Sequence, residues 1–75
     1  MEEIDLGLPS KFIDASVDED FDKALKIAKL IAKQHHITLT NELKILSDSA
    51  AMALSIDEMT AVFSMVEDIR KYEAS

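Results

Sequence analysis

An all-α fold is predicted for this 75-residue chain. The expected architecture is a compact three-helix bundle over about 17–35, 41–54 and 56–73, preceded by an acidic extended arm over residues 1–15. Three observations carry it. Apolar residues recur at helical spacing through those three segments. Two S-x-x-E sequences, Ser16–Glu19 and Ser55–Glu58, stand where helices would begin. Only four residues are aromatic, so the core must be made mainly of Leu, Ile, Val, Ala and Met. The chain is one domain at most, near the lower size limit for a self-sufficient core, and domains of this size without disulfides or metal often gain stability by oligomerising.

Residues 1–15 read as an arm. Ile4, Leu6 and Leu8 alternate with Glu3, Asp5 and Gly7, the period of an extended segment. Gly7 and Pro9 argue against a helix there, with Ser10–Asp14 long enough for a single turn. Such an arm would drape Leu8, Phe12 and Ile13 over its own bundle, or dock them on another chain. It should also be removable to residue 14 without loss of the fold.

The first long helix is expected to start at Val17, with Ser16 and Glu19 as its capping box. Val17, Phe21, Ala24, Leu25, Ala28, Ile31 and Ala32 share one face at about 100° per residue. Lys23, Lys26, Lys29 and Lys33 form an opposite ridge, with Glu19–Lys23 and Asp22–Lys26 spaced as favourable i,i+4 pairs. His35, His36, Ile37 and Thr38 interrupt the pattern, and Thr38, Thr40 or Asn41 can cap the second helix. That helix places Leu43, Leu46, Ala50, Ala53 and Leu54 on one stripe, with Ile45 and Met52 on the other side. Its small flanks, Ser47, Ser49, Ala50, Ala51 and Ala53, predict close helix approach and a central place in the bundle.

The third helix begins at the Ser55–Glu58 box, with Leu54 and Met59 spaced as a hydrophobic staple. Its apolar arc spans roughly 220°, where an ordinary surface helix needs little more than about 100°. Met59, Val62, Phe63, Val66 and Ile69 form the centre. Ala61, Met65 and Tyr72 extend one flank, and that surplus marks a surface for a second chain. Met adapts to irregular surfaces, and Tyr joins buried area to a polar tip.

Composition narrows the chemistry. Absence of Cys removes disulfides, zinc–thiolate sites and a thiol nucleophile together. Ser and Thr residues have local uses as caps or face fillers, and no spacing singles out an acid–base pair for catalysis. Adjacent His35 and His36 point about 100° apart on a helix end, which suits two ligands of one ion poorly. Asp18, Asp20 and Asp22 have the alternation of a calcium loop, but Lys23 and Lys29 occupy the positions that need Gly and Glu. Asp48–Ser49 invites comparison with the attachment site of acyl carrier proteins, yet Ala50 replaces the expected Leu and the pair lies within a helix. No enzyme activity, cofactor or metal is expected.

The net charge of −7 is unevenly distributed. Residues 1–22 hold eight acids against Lys11 alone, and the remainder balances. A neutral body with an acidic front end favours steering towards a cationic partner. The third helix is too acidic to approach phosphates, which leaves Lys23, Lys26, Lys29 and Lys33 as the alternative, nucleic-acid-binding ridge. No apolar run reaches the roughly 20 residues that span a bilayer, and the N-terminus lacks signal-peptide features, so a cytoplasmic protein without membrane contact is expected. The function expected is non-enzymatic protein–protein interaction, regulatory or inhibitory, with a protein partner or a second copy as homodimer. Candidate contacts are Ala61, Met65, Tyr72, Leu8 and Phe12. The other alternative is an acidic inhibitor, of antitoxin or immunity type, neutralising a basic enzyme.

Overall fold

A computed structural model describes residues 7–75, and they are all-helical. Four helices are found among them, not three: α1 Leu8–Val17, α2 Phe21–His35, α3 Leu39–Ala53 and α4 Ile56–Ala74. The additional helix is α1, which corrects the expected arm over residues 1–15. Gly7 precedes it as N-cap, and Pro9 falls in its first turn. Proline is tolerated at that point because a first-turn N–H has no intrahelical partner to lose. Leu8, Phe12 and Ala15 then recur at i, i+4 and i+7 and are buried. The alternation at Ile4 and Leu6 lies outside the described residues.

The end of α1 also displaces the expected start of the next helix. Ser16 does not cap α2; it is buried within α1, and its hydroxyl donates to the Phe12 carbonyl at 2.8 Å. Glu19 adopts φ 56°, in the left-handed region. Its N–H donates to the Ser16 carbonyl at 3.1 Å, and the Asp20 N–H to the Ala15 carbonyl at 2.9 Å. This pair of bonds closes a helix end on a left-handed residue. Asp20 caps α2, its carboxylate accepting from the Lys23 N–H at 3.2 Å.

The same device ends α2. His36 has φ 57°, its N–H donates to the Lys33 carbonyl at 3.2 Å, and the Ile37 N–H donates to the Ala32 carbonyl at 3.1 Å. Thr38 caps α3 by accepting from the Asn41 N–H. Ser55 caps α4 by accepting from the Glu58 N–H, as expected, while the Glu58 carboxylate accepts from the Ser55 hydroxyl at 3.0 Å. The reciprocal half of that box therefore runs to the side chain of Ser55 rather than to its backbone N–H.

The core joins all four helices. Phe12 of α1, Ile31 of α2, Leu43 of α3 and Val62, Val66 and Ile69 of α4 are its large, fully buried members. α2 and α4 each pack against the three other helices, whereas α1 and α3 barely touch. The expected central place of the Leu39–Ala53 helix is thus corrected: α3 packs on α2 and α4 only. α1 instead occupies the flank of α4 that reads as surplus in the sequence. Burial on α4 is accordingly rotated from the expected centre, with Met65 inside and Phe63 exposed.

Candidate protein-interaction groove

Of the five contact positions expected from the sequence, three are core. Phe12 is 0% exposed, Met65 5%, and Leu8 is equally enclosed. An all-α chain this short buries these side chains in its own core, and of the three only Leu8 and Met65 lie outside the groove described next, which Phe12 helps to line. Ala61 is half-buried beside Met65. Tyr72 remains exposed, but its ring meets Phe21 edge-to-face, with centroids 5.5 Å apart at 66°. This geometry matches the ring quadrupoles and ties the start of α2 to the last turn of α4. Removal of residues 1–14 would also take Leu8 and Phe12 from the core, so the expected expendable arm is corrected as well.

Where α1 and α3 fail to meet, they leave a groove. α1 contributes Pro9, Phe12 and Ile13; α3 contributes Leu46, Ser49, Ala50 and Ala53; Leu54 and Val62 complete it. Its volume is about 120 Å³ and its exposed lining is apolar throughout. The small residues of α3 explain the opening. Read from the sequence as a close-approach surface for a neighbouring helix, they divide: Ala50 is buried in the core, while Ser49 and Ala53 are exposed in the groove and their short side chains leave the space unfilled.

Helical register extends the apolar surface beyond the groove. Ile45 and Met52 lie four before and three after Ser49, so they flank the Ser49 edge of the groove and stand away from its Leu46, Ala50 and Ala53 wall. Both are exposed, Met52 at 88%. Ile56, at the first position of α4, is 75% exposed. The sequence marks Ile45 and Met52 as a minor patch. Their proximity in register to a groove is not legible there, because it depends on where α1 lies.

A second depression lies between the α1–α2 turn and α4, lined by Ser16, Val17, Glu19, Phe21, Ala61, Ser64, Met65 and Asp68. It is partly polar and acidic at its edges, and no three His, Asp or Glu side chains converge to hold a metal ion among the described residues.

The lysine ridge is present on α2, with Lys23, Lys26, Lys29 and Lys33 all exposed. The expected Glu19–Lys23 and Asp22–Lys26 ion pairs do not form. Among the described residues, Glu67 and Arg70 pair at 3.7 Å, and His35 Nδ1 lies 2.6 Å from Glu42 Oε1. Glu19, held left-handed outside the helix, does not stand one turn before Lys23 in helical register.

His35 and Glu42 form the pair that sequence reasoning missed. Glu42 is in the first turn of α3 with its side chain buried, and its Oε1 accepts from His35 Nδ1 in the last turn of α2. A carboxylate taken from water requires such a partner. The signal available was a seven-residue spacing across the expected helix break. His36, its sequence neighbour, is exposed and ends α2 with a left-handed backbone, so the two histidines have separate structural uses.

No known protein family, curated protein or solved structure matches the chain. No helix among the described residues is long and apolar enough to cross a membrane.

Proposed function

We propose that this protein is a small, non-enzymatic protein–protein interaction module, regulatory or inhibitory in role, whose contact face is the α1–α3 groove. The single observation behind this reading is the wholly apolar groove, with exposed Ile45 and Met52 flanking its Ser49 edge. A patch of this kind on a small fold is characteristic of interaction surfaces, where apolar side chains meet a concave receptor. The face differs from the Ala61, Met65 and Tyr72 edge expected from the sequence, which α1 and Phe21 occupy.

The test is a peptide-display selection against the full chain, counter-selected on Ala53→Trp. Ala53 is exposed in the groove wall, so an indole there blocks the site without entering the core. Circular dichroism would first establish that the variant keeps its helices. Peptides that bind wild type and not Ala53→Trp support the reading. A selection whose binders all hold both proteins equally would sink it.

The alternative, nucleic-acid binding through α2, is favoured by one observation: Lys23, Lys26, Lys29 and Lys33 are exposed and uncommitted to carboxylates. A mobility-shift assay over a salt series tests it, since phosphate contacts weaken steeply as salt rises. No shift at low salt would end that alternative.

A further inference from the structure

We infer that the α1–α3 groove is covered by the chain's own residues 1–6, which a partner must displace, so that the protein controls access to its contact face. The cover is argued from the groove and its place in the chain; the control rests on the groove being the contact face. Position comes first. Residues 1–6 of the sequence precede the described residues, which begin at Gly7. Gly7 is the N-cap of α1, and Pro9, two positions on, is exposed and lines the groove. Ile13, one helical turn after Pro9, lines it too, so the groove runs along α1 from the first turn of that helix. Pro9 to Ile13 covers about 6 Å of helix, and six extended residues reach about 20 Å. The segment is attached at the mouth of the groove and is long enough to run its length.

Pattern comes second. Ile4 and Leu6 alternate with Glu3 and Asp5, and in an extended segment alternate side chains share a face. Such a segment offers an aliphatic face to an uncharged groove and keeps its carboxylates in water. Size agrees. An apolar cavity of roughly 150 Å³ accepts benzene, so a groove of about 120 Å³ takes one leucine- or isoleucine-sized group, with the second over its rim. Attachment then separates this occupant from any other. A short tether gives an effective concentration of about a millimolar, so docking too weak to hold a free peptide still covers the groove.

The experiment uses the full chain, whose lack of cysteine leaves engineered pairs without background. A disulfide needs Cα atoms within about 7 Å. Leu6→Cys is combined with Ala53→Cys in the groove wall and, separately, with Lys29→Cys on α2, which contributes nothing to the groove. Under mild oxidation the Ala53 pair should close within one chain about tenfold faster than the Lys29 pair. Equal rates would overturn the cover, and crosslinks between chains would overturn it by assigning the groove to a second copy. The second arm is the variant Ile4→Ser with Leu6→Ser, its helices checked by circular dichroism. Groove-dependent peptides from the display selection, titrated by fluorescence anisotropy, should bind this variant roughly tenfold more tightly than wild type, as for a groove open about a tenth of the time. Equal affinity for variant and wild type would overturn the control. If the Ala53 pair closes selectively but display yields no groove-dependent peptide even against the variant, the cover stands and the contact-face reading falls, and the control falls with it. If such peptides bind while crosslinking is unselective, the contact face stands and the cover falls.

Discussion

His35 and Glu42 lock the α2–α3 corner through a 2.6 Å contact between Nδ1 and Oε1, and the glutamate side chain is only 1% exposed. The histidine is half outside, so one end of the pair is solvated and the other is not. A buried carboxylate left without its donor costs about 1–3 kcal/mol. His35→Ala should therefore lower stability by that amount, read as the midpoint of urea unfolding. The double variant His35→Ala with Glu42→Met should cost less than His35→Ala alone, because the buried charge is gone as well. A cost for His35→Ala of no more than a few tenths of a kcal/mol would show that the contact does not matter.

Phe12 separates an arm from a core. Its complete enclosure predicts that Phe12→Ala costs about 3–5 kcal/mol, a large share of what a domain of this size has. Met65→Lys should be at least as damaging, since it places an ammonium where the thioether is enclosed. Thermal melts followed by circular dichroism give the answer. Native-like melting of both variants would restore these residues to the surface.

Glu19 and His36 hold left-handed backbone without being glycine. A residue with a Cβ pays about 1–2 kcal/mol for that conformation, part of which glycine's greater unfolded-state freedom offsets. Glu19→Gly and His36→Gly should each raise stability by about 0.5–1 kcal/mol, or several degrees in melting temperature for a domain of this length. Unchanged or lower melting temperatures in both would contradict the left-handed assignment.

Ser55 provides the simplest control. Ser55→Ala removes the acceptor for the Glu58 N–H and the hydroxyl donor to its carboxylate. The expected loss is about 1 kcal/mol. Ser16→Ala, by contrast, should not act as a cap deletion at all, and amide exchange at the start of α2 should be unaffected by it.

These positions also show how far the chain is legible without its structure. Helical class, the α4 start at Ser55 and the buried stripe of α2 can be read from periodicity and cap chemistry, which are local. α1 is hidden because Gly7 and Pro9 read as breakers, although both are compatible with a helix that starts between them. Its end is hidden because the left-handed residue is Glu19 rather than glycine, and an S-x-x-E sequence across that turn imitates a cap. Once α1 is misplaced, the surplus apolar arc of α4 has no owner inside the molecule and points to an external partner. The groove depends on the same fact in reverse: Ser49 and Ala53 mark closeness only if a helix comes to them, and only the placement of α1 shows that none does.

The packing of α1 on α4, the two helices most distant along the chain, bears on how the molecule is made. A nascent chain arrested at Leu54 has α1, α2 and α3 but lacks Val62, Val66 and Ile69, so the side of Phe12 turned to α4 stays wet. We expect folding to complete in one late step rather than helix by helix during synthesis. Ribosome-tethered chains ending at residue 54, with a linker to clear the exit tunnel, should then be cut rapidly by protease, while chains carried through Ala74 should resist.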